Sequence, residues 1–209
     1  MILNELIKSK RIILASASPR RKELMEGLGL NFTIDTRNNF QEIVPDGLDV
    51  NLVPEYLAKG KSYGFHRELE DDEIVITADT MVLCNGQILG KPSDKSNAMQ
   101  MLKMLQNNTH TVITGVCIRS RDKEETFSVT TKVFFNELSD EELDYYIENY
   151  RPYDKAGAYG VQEWIGYVGI NRIEGSYFNV MGLPVQRLYC ELQRFLKTGQ
   201  EPTANTQLP

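Results

Sequence analysis

Histidine and cysteine are scarce in this chain: there are two histidines, His66 and His110, and three cysteines, Cys84, Cys117 and Cys190, in 209 residues. Two distant histidines argue against a histidine-rich zinc or iron centre. Three scattered cysteines give neither a disulfide framework nor a zinc pattern, and they suit a reduced, cytoplasmic chain. Long apolar runs are missing, so nothing approaches membrane-spanning length. The opening stretch, residues 1–10, is too short and too polar for a signal peptide and reads as a lead-in. Positive charge is not in excess either. The net charge of −6 argues against a protein that coats nucleic acid. There is no G-x-x-x-x-G-K-[ST] loop, no G-x-S-x-G and no H-E-x-x-H, which removes three common catalytic frameworks.

What remains is ordinary globular composition, 41% hydrophobic and 25% charged. Residues 1–196 read as one domain, with a polar tail over 197–209. The most informative stretch is Arg11 to Met25. Ile12-Ile13-Leu14-Ala15 reads as a buried strand. It stops at Ser16-Ala17-Ser18. Pro19 suits the first turn of a helix, with Ser18 as its N-cap, and the helix ends at Gly29. A strand–turn–helix junction points unpaired N–H groups and a positive dipole end outward. Arg20 and Arg21 add two planar cations. These features suit a polyphosphate, or else a well-capped helix carrying two solvated arginines.

The second stretch is Glu73 to Pro92. A short buried strand, Ile74-Val75-Ile76, is expected to end at Asp79-Thr80, where α/β sheets place ligands. Asp79 is then either a ligand-facing carboxylate or a turn former. Asn85-Gly86 predicts a tight hairpin, with Lys91 just beyond it. The third stretch, Tyr153 to Gln162, joins the charged pair Asp154-Lys155 to a run of small residues and a glutamine. Between these stretches the pattern predicts a strand over 31–36, a polar loop over 38–49 and a helix over 54–69 weakened by Gly60 and Gly64. An acidic solvated turn over 68–73 and an amphipathic helix over 94–106 follow. Two antiparallel strands are expected over 110–120 and 125–135, then a helix capped by the Ser139/Glu142 box. Residues 165–173 have strand character, and a last helix packs Val185, Leu188, Tyr189, Leu192 and Phe195. Carboxylates are the abundant metal ligands here, so Mg²⁺ or Mn²⁺ is the natural cation.

Taken together, Ala15 to Arg21, Ala78-Asp79-Thr80 with Gly90-Lys91-Pro92, and Asp154 to Gln162 resemble the Maf family of nucleoside triphosphate pyrophosphatases. Thr114-Gly115-Val116 and Gly175 to Pro184 carry the same resemblance, which spans residues 11 to 196. It implies an α/β fold: a mixed, elongated sheet with flanking helices and two lobes around a cleft, similar to the inosine triphosphatases. It implies cleavage between the α and β phosphates. The Ala156 to Gln162 segment looks like the branch acting on dTTP and UTP. Alternatives are 7-methyl-GTP or inosine-type substrates, or a nucleotide-binding regulator of division. By resemblance, Asp79 is the proton acceptor, and Arg20, Thr80 and Gln162 select the substrate. Ser16, Arg21, Lys61 and Lys91 hold phosphates, and Glu42, with Asp79, helps bind metal. A homodimer is expected on the same ground. Two departures stand out. Gln41-Glu42 replaces the usual Asp-Glu, and Glu163-Trp164 follows Gln162 where many members have glycine. Trp164 either reshapes the base pocket or packs in the core.

The expected reaction is attack of water on the α-phosphorus. An aspartate in water titrates at about 3.9 and is a weak base at neutral pH. Asp79 therefore needs a metal ion that acidifies the water, or burial that raises its own basicity.

Overall fold

The computed structural model describes residues 2–197. The tail expected over 197–209 lies outside the described residues, apart from Lys197, which ends the last helix. The expected lead-in instead holds a short helix, α1 (Leu3–Leu6), and Leu3 is fully buried. Strand β1 (Arg11–Leu14) leads through the serine turn into α2 (Pro19–Gly27), where Ser18 caps the N–H of Arg21 and Pro19 takes the first turn. Next come β2 (Phe32–Ile34), α3 (Val53–Tyr63), β3 (Glu73–Cys84) and β4 (Gln87–Leu89). The remainder is α4 (Lys95–Leu105), β5 (Thr109–Arg119), β6 (Glu124–Phe135), α5 (Asp140–Tyr150), α6 (Trp164–Gly169), β7 (Ile170–Glu174), α7 (Tyr177–Met181) and α8 (Val185–Lys197).

The seven strands form one mixed sheet in the order β2-β1-β3-β5-β6-β7, and β4 pairs with β3. β1 is parallel to β2 and β3, and the other pairings are antiparallel. Side chains alternate between faces with period two. Ile12, Leu14, Ile74 and Ile76 therefore enter the large core with Leu102, Leu143, Leu188 and Leu192 from the helices. On the other face, Val53 and Leu57 of α3 pack on Met81 and Ile113. Gly115 makes this close seating possible, because a Cβ there would lie 2.3 Å from the backbone of Pro54 and Glu55.

Four expectations are corrected. β3 does not end at Asp79-Thr80; it continues to Cys84, because β5 pairs with it from Val75 to Leu83. The helix opened by Pro54 stops at Tyr63, and Phe65 turns back to bridge Asn38. The acidic 68–73 turn is not solvated at its end. Glu73 starts β3 and is buried, with its carboxylate gripped by Arg67 at 2.6 and 2.8 Å. Residues 165–173 are divided: 165–169 belong to the helix α6, and 170–173 form the strand β7. The Asn85-Gly86 hairpin, the Ser139/Glu142 box and the amphipathic α4 form as expected, with both hairpin residues at positive φ.

His110 is buried between Phe135 and Tyr159, and its Nε2 lies 2.7 Å from the Tyr159 hydroxyl. Burial lowers its pKa to about 4. The unfolded chain binds this proton near pH 6.5, whereas the native chain does so only near 4. Stability is therefore lost as pH falls from 6.5 to 4, by about 3 kcal/mol from this residue. Urea unfolding across that range should show the loss in the wild type and a shallower slope in His110→Gln. Equal slopes would contradict the assignment.

Candidate active site

One edge of β3 is covered in two pieces. β1 pairs with residues 73–76, and β4 pairs with 82–84. Among the described residues no strand covers 77–81 on that side, and Asp79 and Thr80 are the half-buried positions within that window. A cleft of about 790 Å³ opens at this window. It is lined by the 15–21 turn, the loop carrying Glu42, α3, Lys91 and the 154–162 loop.

Alternation sends Asp79 and Thr80 to opposite faces. Asp79 faces α3, where Lys61 Nζ lies 2.6 Å from its Oδ1 and 3.0 Å from Glu42 Oε1. Lys61 is held in place one turn earlier: Thr77 donates to the carbonyl of Ala58 at 2.6 Å, tying α3 to β3. Asn38 donates to the carbonyl of Lys61 and accepts from the Phe40 N–H, which fixes the loop that presents Glu42.

Thr80 faces the other side and meets Thr114 at 3.0 Å. Arg21 is the organiser there. Its Nε donates to the Gly182 carbonyl at 2.8 Å and its Nη1 to the Ala78 carbonyl at 2.8 Å. Nη1 also reaches Ser16 Oγ at 3.3 Å, and Nη2 reaches Thr80 Oγ1 at 3.0 Å. The Ala78 carbonyl lies in the uncovered window, so Arg21 supplies the donor that a neighbouring strand would have given. Most of its fork is thus spent on the protein. Burial pushes its pKa below the ordinary value, and Asp79 opposes that shift. One N–H of Nη2 is left over from these bonds.

Arg20 lies in the cleft with Nη1 2.8 Å from Asp154 Oδ2. Asp154 also accepts from Lys155 at 2.7 Å, and Lys155, nearly buried, reaches Glu163 at 3.1 Å. Burial acts to raise the Asp154 pKa, but the hydrogen bonds from Lys155 and Arg20 outweigh it and hold the carboxyl at about 2. Lys91 is exposed at the cleft mouth, and Ser16 lines its wall. Gln162 lines the cleft, and its buried Oε1 has no hydrogen-bond partner among the described residues. Trp164 is absent from the cleft lining; it is half-buried, packed against the edge of the core and on the exposed Tyr145 with ring centroids 5.0 Å apart.

The expected site residues Ser16, Arg20, Arg21, Glu42, Lys61, Asp79, Thr80, Lys91 and Gln162 thus line one cleft. Sequence reasoning missed the Gly182 carbonyl as an arginine acceptor and the part played by Asp154 and Lys155, although the charged pair itself was visible. Among the described residues no group of three or more His, Cys, Asp or Glu is placed to hold a metal ion. Asp154 of the cleft is paired with Arg20 and Lys155, and the other two lining carboxylates, Glu42 and Asp79, are joined through Lys61. Such a pair fits Mg²⁺, which binds through one or two carboxylates and completes its shell with substrate phosphates and water.

A mixed α/β sheet with a carboxylate and several cations in one cleft defines a site for a small polyanion such as a phosphate ester. The family model for Maf-like proteins matches residues 11–195, and the chain belongs to that family. A protein from Phocaeicola vulgatus named dTTP/UTP pyrophosphatase is 51% identical over 190 residues, covering 91% of this chain and 98% of its own. Proteins of the same name from Porphyromonas gingivalis strain W83 and Flavobacterium psychrophilum are 51% and 44% identical, over 90% and 91% of this chain and 96% and 97% of theirs. A solved HAM1 protein from Coxiella burnetii aligns over 88% of this chain and 99% of its own, at 12% identity and a TM-score of 0.41.

Arg21→Lys tests the organising role. A single ammonium cannot serve the Gly182 and Ala78 carbonyls and Thr80 together. Unpaired groups left behind should cost about 2 kcal/mol, or about 4–8 °C in melting temperature for a chain of this size. Affinity for inorganic tripolyphosphate should fall less than in Arg20→Lys. An unchanged melting temperature with a large affinity loss would make Arg21 a phosphate fork instead.

Proposed function

We propose that this chain is a nucleoside triphosphate pyrophosphatase that converts dTTP and UTP to the monophosphate and pyrophosphate. The names of the relatives support the substrate, and the cleft supports the chemistry. The observation that carries the reading is Asp79 in its window, a carboxylate held beside Lys61 with Arg20 and Lys91 lining the same cleft. Among the described residues the lining contains no histidine and no cysteine. Its serines are engaged, with Ser16 accepting from Arg21 and Ser18 capping α2. Direct attack by water therefore needs no covalent intermediate.

In this reading, Lys61, Lys91 and Arg20 neutralise the triphosphate and the leaving pyrophosphate. Asp79 accepts a proton from the attacking water as the new O–P bond forms and the bridging P–O bond to the β-phosphate breaks. Glu42 and Asp79 would hold a Mg²⁺ or Mn²⁺ ion, which supplies charge neutralisation and a more acidic water. Arg20, Thr80 and Gln162 select the substrate. Uracil and thymine present the same O2, N3–H and O4 edge, and the Gln162 amide can accept from N3–H and donate to a neighbouring carbonyl. Nucleoside triphosphates are cytoplasmic, and three unpaired cysteines suit a reducing compartment.

Asp79→Asn keeps the shape and removes the charge. It should lower kcat/KM for dTTP by at least about 100-fold while leaving the melting curve intact. Pyrophosphate should be the first product in the wild type. A folded Asp79→Asn with near wild-type turnover, or release of orthophosphate first, would reject the mechanism.

A further inference from the structure

The loop that carries Gln162 is long and has little regular structure, yet it is pinned from within. Tyr146 of α5 is fully buried beneath it. The Tyr146 hydroxyl accepts from the N–H of Gly160 at 2.9 Å and donates to Glu163 Oε2. The other oxygen of Glu163 meets Lys155 at 3.1 Å, across the loop. Lys155 passes to Asp154, and Asp154 to Arg20 in the cleft. The result is a run of alternating charge: Glu163, Lys155, Asp154, Arg20. Gly160 leaves the room for it, because a Cβ there would stand 2.8 Å from Glu163 Cδ.

Gln162 sits between the two pinned positions, Gly160 and Glu163. Among the described residues its amide oxygen has no partner to fix its direction. A freely flipping amide reads uracil and cytosine alike, since it offers donor and acceptor in either order. Discrimination therefore requires the backbone beneath it to be held. We infer that Tyr146 and Glu163 are positioning residues for substrate selection, acting as a latch that holds the Gln162 amide and, through Lys155 and Asp154, the Arg20 guanidinium. Burial, and next the bond to Glu163, raises the Tyr146 pKa above its ordinary value, so the hydroxyl keeps the proton it donates.

The inference rests on the base-reading role of Gln162. Its test uses the full chain as wild type, Tyr146→Phe, Glu163→Gln and Gln162→Leu. One readout is the ratio of kcat/KM for dTTP to that for dCTP. The other is the side-chain NH₂ signal of Gln162 in ¹⁵N NMR, identified by its loss in Gln162→Leu. Tyr146→Phe should flatten the ratio by at least about fivefold and shift the NH₂ signal, and combining it with Gln162→Leu should flatten the ratio no further. Glu163→Gln should do the same, and it decides the matter if Tyr146→Phe fails to fold. An unchanged ratio and signal, or an equal loss on both nucleotides that follows a lower melting temperature, would overturn the latch. If Gln162→Leu flattens the ratio and neither latch variant does, the latch is wrong and base reading stands. If Gln162→Leu itself leaves the ratio alone, base reading fails, and the NH₂ signal still decides whether the latch exists.

Discussion

β3 is longer than either strand that covers its outer edge. β1 leaves it after Ile76, because the chain must turn at Ser16 to Ser18 into α2, and β4 joins it only at Val82. The stretch between is held from β5 alone on the sheet side. An exposed edge in a protein interior must find partners for its backbone groups. Arg21 meets part of that need by donating to the Ala78 carbonyl, and the same guanidinium binds Ser16, Thr80 and Gly182. The cleft follows from this gap. Its floor is rigid because β3 runs on past it, and its walls are the segments that could not extend the sheet.

Charge in the cleft is arranged as internally paired sets. Lys61 is shared between Asp79 and Glu42, and Arg20 and Lys155 share Asp154. Pairing keeps half-buried cations from standing uncompensated, which would be costly. It also sets up an exchange. A triphosphate can replace carboxylate partners with phosphate oxygens, so the cations keep a partner throughout. Thr77 on Ala58 fixes the α3 side of this arrangement, and Tyr146 with Glu163 fixes the opposite wall.

Local signals in the sequence were reliable where a few adjacent residues decide the outcome. Ser18-Pro19, Asn85-Gly86 and Ser139/Glu142 each carry their own hydrogen-bonding logic, and each formed as expected. The site residues were legible as a set only through their resemblance to a family, since nothing local says that Glu42 and Asp79 meet through Lys61. The misses are long-range. The true length of β3 depends on pairing with β5, and the burial of Glu73 depends on Arg67 folding over it. The strand character read over 165–173 holds only from Ile170, and the residues before it coil as α6, where Ile165 and Gly169 reach the core. Gly60 looked like a weak point in α3. Instead it leaves space for the Phe40 ring, which a Cβ would approach to 2.2 Å. The acceptors of Arg21, Ala78 and Gly182, are backbone carbonyls that no side-chain pattern reveals, so its part in holding the cleft wall was not legible.

The central claim is that Asp79, standing in the gap of the sheet, directs water to the α-phosphorus. Hydrolysis of dTTP in ¹⁸O-labelled water, with both products analysed by mass spectrometry, tests it most directly. Attack at the α-phosphorus predicts one labelled oxygen in the thymidine monophosphate and none in the pyrophosphate. Label recovered in the pyrophosphate would place the attack on the β-phosphorus and contradict the claim.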